Sequence, residues 1–293
     1  MTMDRAVALI VNPNAGGGRA AQALPVVEAT LTRLGLRFHT ESTTSLEHAE
    51  ELARAAVAAG ETVAALSGDG MIGKIAGALS GTDGVLGVLP GGRGNDLARA
   101  LDIPQDPEAA SQLLASGRIR ELDLGEVDGR PYIGIASCGF DSDANRLANE
   151  APPALGNFVY AYGAVRAWAA WKPARFEVAF DGRGLAFQGD NVAVANSPCY
   201  GGGMRIARDA ELDDGLFDVV MTGKGPKRRF PRFISKAFDG SYVDDPSIHV
   251  ERAREVRIAA DRPFTMYADG DPIGDLPVTV RVRPRAVRVL VPA

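Results

Sequence analysis

The sequence predicts an α/β N-terminal domain with a parallel sheet and covering helices, followed by a β-rich antiparallel, sandwich-like second domain. Three observations predict it. Short apolar, partly β-branched runs alternate with helical segments from residue 6 to residue 101. Three glycine clusters each follow one of those runs and precede a helical segment. Beyond residue 120 the rhythm changes to strand-like runs joined by glycine, proline and asparagine turns. Strands alternating with helices build parallel sheets covered on both faces, whereas closely spaced strands with turn residues build antiparallel ones.

Taken in order, AVALIV (6–11) is a buried strand closed by Asn-Pro. AAQALPVVEATLTRLG carries Leu24, Val27, Leu31 and Leu34 at helical spacing, with Pro25 expected in the first turn, where it costs little. RFHTES is a second strand. SLEHAEELARAAVAAG is a helix capped by Ser45, opened by Glu47 and His48 and ended by Gly60. TVAALSG and GVLGVLP are strands, IGKIAGALS and NDLARAL helices. Then come eight strand-like runs: IRELDLGEV, RPYIGIASCGF, ARFEVAFDG, LAFQGDNVAVANS, GLFDVVMTG, EVRIAA, FTMYADG and PVTVRVRPRAVRVLV. The change of rhythm places domains at 1–124 and 125–280, with a closing strand at 281–293.

Composition narrows the function. The chain has 293 residues, 46% hydrophobic and 24% charged, as in globular proteins with a sizeable core. A net charge of −5 argues against a nucleic-acid partner. Cys138 and Cys199 make no disulfide framework, and His39, His48 and His249 no metal-ligand spacing. No run reaches the ~18 apolar residues of a membrane span, and the N-terminus lacks a signal-peptide pattern. A reduced, cytoplasmic protein is expected.

The glycine clusters carry the chemistry. VNPNAGGGRA, Ser67-Gly68-Asp69-Gly70 and LPGGRGNDLARA all lie at strand ends before helices, at the carboxyl edge where α/β sheets bind ligands. Glycines let the backbone approach phosphate, and helix N-termini favour anions. Arg93 adds a cation suited to phosphate oxygens. One such loop is an ordinary turn; three on one edge point to a phosphate ligand. Neither G-x-x-x-x-G-K-[ST] nor a dinucleotide fingerprint occurs, so the nucleotide is held by another route. Read from residues alone, ADGDPIG is a β-turn and ELDDGLFDV a solvated acidic turn.

VNPNAGGG, SGDGMIGKIAGAL and LGVLPGGRGNDLARALDIP resemble the nucleotide-binding motifs of the diacylglycerol kinase catalytic family, which includes bacterial diacylglycerol kinases and sphingosine kinases. YIGIASCGFDSDAN, GGGMRIARDAELDDGLFDVV and YADGDPIGDLPVTV continue the resemblance nearly end to end. It implies an ATP- and Mg²⁺-dependent lipid kinase phosphorylating a hydroxyl of diacylglycerol or a similar lipid, with 1–124 the nucleotide-binding domain, 125–280 the lipid or substrate domain and 281–293 a strand returning to the first domain. Asn12, Gly16, Gly17 and Gly18 would lie beside ATP, and Thr43 or Thr44 would touch it. Gly68, Asp69 and Gly70 would cradle phosphates and help place Mg²⁺; Gly94, Asn95 and Asp96 would complete the pocket. Asp214, with the backbone carbonyls of Glu211 and Leu216, would hold a structural Mg²⁺, and Asp269 or Asp271 would be the catalytic base.

The chain departs from the family pattern. Ser67 and Met71 replace a glycine and a threonine, Gly73-Lys74 an Asn-Glu pair, Arg93 a threonine, and Asp271 a glutamate. Arg93 and Lys74 are expected to offset phosphate charge. KGPKRRFPRFISKAF (224–238) interleaves basic and aromatic residues, as in helices that rest on anionic lipid; its alternative is a helix packing those aromatics on the core. Trp168 and Trp171 suit an interface or a core. The lipid substrate at a membrane surface is thus the expected partner, with peripheral membrane association. A homodimer is left open. Two rivals stand beside this reading: an NAD kinase-like phosphotransferase, and a catalytically weakened nucleotide or lipid sensor.

Overall fold

The computed structural model describes residues 6–152 and 159–293; residues 1–5 of the N-terminal segment read above lie outside them. The chain forms two compact units, one running through Leu124 and including Pro284–Ala293, the other Gly125–Arg283.

In the first unit, strands β1 (Val7–Val11), β2 (Phe38–Ser42), β3 (Thr62–Ser67) and β4 (Val85–Pro90) are joined by helices α1 (Arg19–Arg33), α2 (Leu46–Ala58) and α3 (Asp69–Leu79). Helices α4 (Asp96–Ala100) and α5 (Pro107–Ser116) follow, before β5 (Arg118–Val127). The sheet is parallel: β1 lies between β2 and β3, with Val7 opposite Phe38 and Thr62, and β3 pairs with β4. The final strand, β15 (Val278–Val291), adds in parallel to β4, Arg288 opposite Val85. β1, β3 and β4 are buried along their whole lengths, as continuous apolar runs covered on both faces require. Ser45 caps α2 as expected, accepting the His48 amide at 3.1 Å. Two details differ from the sequence reading. The glycine loop ends sooner than the apolar pattern suggests, so α1 starts at Arg19 and Pro25 lies inside the helix. Pro25 and Ala21 are exposed, which leaves the carbonyl released by the proline to water. Leu34, past the helix end, is 37% exposed rather than on the core face.

The second unit contains β6 (Arg130–Tyr132), β7 (Ile135–Gly139), α6 (Phe140–Asn149), α7 (Val159–Ala170), β8 (Ala174–Phe180), β9 (Arg183–Ala195) and β10 (Phe217–Gly223). Helix α8 (Phe230–Asp239) and strands β11 (Ile248–Ala253), β12 (Glu255–Ala260), β13 (Thr265–Ala268) and β14 (Asp271–Asp275) complete it. The antiparallel order is β14-β13-β7-β9-β8-β12, and the first part of β15 joins β12. β10 pairs with β9 and β11. Tyr132, Phe176 and Phe217 anchor its main core, where the Tyr132 hydroxyl donates to the Val194 carbonyl at 3.1 Å. Several elements escaped the strand reading, among them β14, which continues the ADG turn, α6 and β11. α6 begins where the Ser142 hydroxyl accepts the Gly139 amide at 3.0 Å, directly after the strand-like IASCG. β11 is a largely solvated edge strand, so IHVERA carries no buried alternation.

Candidate active site

The first glycine loop leaves β1 through a local turn, the Asn12 side chain accepting the Asn14 amide at 3.1 Å. Gly16, Gly17 and Gly18 all have positive φ (63°, 73° and 95°), which glycine adopts without steric cost. A side chain at Gly16 would sit 2.5 Å from the Gly91 carbonyl, and one at Gly92 2.5 Å from the Gly68 Cα. The three loops are therefore in backbone contact, which only glycines permit. The Gly91 amide donates to the Ser67 carbonyl at 2.8 Å, and Asn95, itself at φ 52°, accepts the Gly92 amide at 2.8 Å. The guanidinium of Arg93 reaches over the first loop, 3.7 Å from the Cβ position of Gly17. A flexible cation thus stands over a run of glycine backbone beside helix N-termini, an arrangement that accepts an anion.

Asp69, between its glycines, accepts the Leu97 amide at 3.1 Å. Its carboxylate joins the second loop to the start of α4. Asp96 is nearly buried beside it in sequence, and Arg99 donates to the Gly94 carbonyl at 3.0 Å. Gly70 lies in the first turn of α3, one turn before Lys74. Met71 is buried, and its sulfur receives the buried Thr43 hydroxyl at 3.8 Å. The Thr44 hydroxyl lies 3.2 Å from His48 Nδ1. Hydrogen bonds at the α2 N-terminus, from its own backbone and from Ser45, hold the Glu47 carboxyl below the usual range, and Lys74 adds to the effect. The sequence reading missed Gly91 and Gly92 as the contact glycines. Their tandem spacing was visible, but which loop they touch was not.

In the second unit, Asp269 (φ 52°) and Gly270 (φ 95°) turn the β13–β14 hairpin, so the β-turn expected from ADG is present. Each oxygen of Asp269 accepts one backbone amide at 2.9 Å, from Gly134 and Ile133. Asp271 opens β14 opposite Ala268. At the acidic turn, one Asp214 oxygen accepts the Leu216 amide at 2.9 Å and the other contacts the Arg252 guanidinium. That carboxylate is already satisfied by two donors, one of them cationic. The arrangement does not fit a resident Mg²⁺ on Asp214 with the Glu211 and Leu216 carbonyls. Among the described residues, no group of three or more His, Cys, Asp or Glu is placed to hold a metal.

The second unit also holds an open pocket walled by Phe140, Trp168, Trp171, Phe230, Phe233 and Ile234. Phe230 packs on Phe140 and Trp168 at centroid distances of 5.2 and 5.9 Å. Polar groups line it too. Asp141 accepts the Tyr200 hydroxyl and the Asn191 amide nitrogen, each at 2.8 Å, and Asp190 accepts the Trp171 indole at 2.7 Å. Burial pushes both carboxyls above their ordinary values, opposed by those hydrogen bonds. The basic–aromatic stretch is divided: Phe230 and Phe233 face the cavity, Ile234 lines it while 37% exposed, and Phe238 is 55% exposed. No helix of the described residues is long and apolar enough to cross a membrane.

A parallel α/β unit with contacting glycine loops, followed by an antiparallel β-rich unit, is the architecture of a two-part class whose halves are matched separately. The family model for the diacylglycerol kinase catalytic domain covers residues 6–127, and that for the YegS C-terminal NAD kinase beta sandwich-like domain covers residues 134–291. The diacylglycerol kinase of Mycobacterium tuberculosis is 30% identical over 98% of this chain and 95% of its own length. That of Bacillus subtilis is 30% identical over 92% of this chain and 90% of its own. A solved Bacillus anthracis structure superposes with a TM-score of 0.83 at 20% identity, covering 98% of this chain and 95% of that one, which shows the shared fold. The chain belongs to the diacylglycerol kinase family, a family of lipid kinases.

Proposed function

We propose that the chain transfers the terminal phosphoryl group of ATP to a hydroxyl of diacylglycerol or a similar lipid, with Mg²⁺ accompanying the nucleotide. The observation that carries this reading is the backbone contact of three glycine loops under the Arg93 guanidinium. Phosphoryl transfer needs positioned phosphates and an answer to the charge that develops on them. Backbone amides, Arg93 and Lys74 supply both in the first unit. Magnesium arriving with the nucleotide would add charge neutralisation; the first unit's carboxylate nearest the glycines, Asp69, is committed to the Leu97 amide.

The aromatic cavity of the second unit suits an acyl chain, and its carboxyls and hydroxyls suit the polar part of a glycerolipid. The exposed Ile234 and Phe238, with Arg228, Arg229 and Arg232 nearby in sequence, suit contact with an anionic lipid surface. Of the two candidate bases, Asp269 is committed to holding the loop at Ile133 and Gly134. We assign the base to Asp271, the second acid of Asp269-Gly270-Asp271, and a positioning role to Asp269.

The test is phosphate transfer from labelled ATP to diacylglycerol, to other lipid alcohols and to NAD, with melting temperatures measured in parallel. Asp271→Asn should lose about 10²–10⁴ in rate without change in melting, the usual worth of a general base. Asp269→Asn should lower both rate and melting temperature. Transfer to NAD alone, or full activity in both variants, would overturn the assignment.

A further inference from the structure

We propose that Arg252 is a built-in counter-ion for the acidic turn before β10, standing where the resemblance places a bound Mg²⁺, so that the second unit keeps its fold without a resident metal. The position of this guanidinium is set by backbone pairing. Arg252 lies on β11 directly opposite Asp218 on β10. From there its Nη2 contacts Asp214, and its Nε lies 3.7 Å from Asp218. One planar fork therefore spans two carboxylates, a geometry that guanidinium satisfies and a lysine ammonium does not.

The remaining donors close the arrangement. The second Asp214 oxygen takes the Leu216 amide, which folds the turn onto itself. Asp209, Glu211 and Asp214 all act on the nearly buried Asp218 as like charges, and Arg252 acts against them. Arg208, 3.5 Å from Asp209, answers the outer part of the cluster. A divalent ion seated on Asp214 would have to share one carboxylate with a guanidinium already in contact with it. The two cations compete, and the one covalently attached to the chain is always present. Because the Arg252 side chain is 51% exposed, its removal leaves a path for an ion from solvent.

The experiment uses the full chain without nucleotide, since nucleotide brings its own Mg²⁺. For the unaltered protein, titration calorimetry with MgCl₂ should show no heat that Asp214→Asn removes, and melting temperatures in EDTA and in Mg²⁺ should coincide. Arg252→Met should melt lower in EDTA and recover in Mg²⁺, and its recovery should vanish in the double variant with Asp214→Asn. Asp214-dependent Mg²⁺ binding by the unaltered protein would overturn the proposal. So would an Arg252→Met variant that melts in EDTA like the parent. If that variant does not fold in EDTA, the calorimetry on the unaltered chain decides by itself.

Discussion

Asp69 and Asp269 are both acids flanked by glycine and both engaged with backbone amides far along the chain, yet their sequence surroundings suggested phosphate and proton chemistry. The flanking glycines were legible; the amide partners, Leu97 for one and Ile133 with Gly134 for the other, come from loops brought near by the sheets. Arg93 is the reverse case. Its identity as a phosphate-suited cation could be read directly, and the structure puts it over Gly17. A charge-assisted hydrogen bond is worth ~1.5–3 kcal/mol, so Arg93→Ala should weaken ATP binding about tenfold or more, read by calorimetry. An unchanged dissociation constant would remove Arg93 from the site. Asp190 offers a pH test. Burial raises its folded value, against the Trp171 hydrogen bond, above the ~3.9 of an unfolded chain. The folded state then holds the proton more tightly, so this carboxyl costs stability above its folded value and ceases to do so as pH falls through the window between the two. Asp190→Asn keeps an acceptor for the indole. It should melt higher than the parent near neutral pH, with the advantage fading towards the unfolded carboxylate value.

Helix α8 shows how an element with a clear pattern still leaves its orientation open. Its aromatic spacing is helical, and both a core role and a lipid role were compatible with it. The fold divides the two: Phe230 and Phe233 wall the cavity, Phe238 faces water, and Ile234 sits at the cavity wall while still 37% exposed. Replacing Ile234 and Phe238 together with glutamate should abolish co-sedimentation with anionic vesicles at unchanged melting temperature. Each of Arg228, Arg229 and Arg232 changed to alanine should weaken it by ~1 kcal/mol at low salt. Vesicle binding that survives the glutamate pair would place the lipid-facing surface elsewhere. β11 and α6 make the opposite point. The first is a polar edge strand without the apolar alternation on which sequence reading depends, while α6 carries Phe140, Ala144 and Leu147 at helical spacing but follows directly on the strand-like IASCG.

Strand β15 serves both units with one continuous run: Val278–Arg281 pair with β12, and Arg288–Val289 pair with β4. Val287, Val289, Leu290 and Val291 are all buried. At ~1.5–3 kcal/mol for each buried side chain, their loss removes on the order of 6–12 kcal/mol, comparable to the whole stability of a domain. A chain ending at Arg283 should therefore lose the cooperative melt of its first unit, seen by calorimetry or circular dichroism. A cooperative first-unit transition retained in that truncation would show that the strand is dispensable there. The division into a parallel α/β part and an antiparallel β-rich part, the family and the glycine loops were all readable beforehand, because alternating apolar runs, turn residues and motif spacing are local properties of the chain. What waited for the folded molecule was every pairing between distant segments: Gly16 with Gly91, Asp69 with Leu97, Asp214 with Arg252. Such contacts are fixed by strand order and register, and a linear pattern carries no information about which two ends of a sheet will meet.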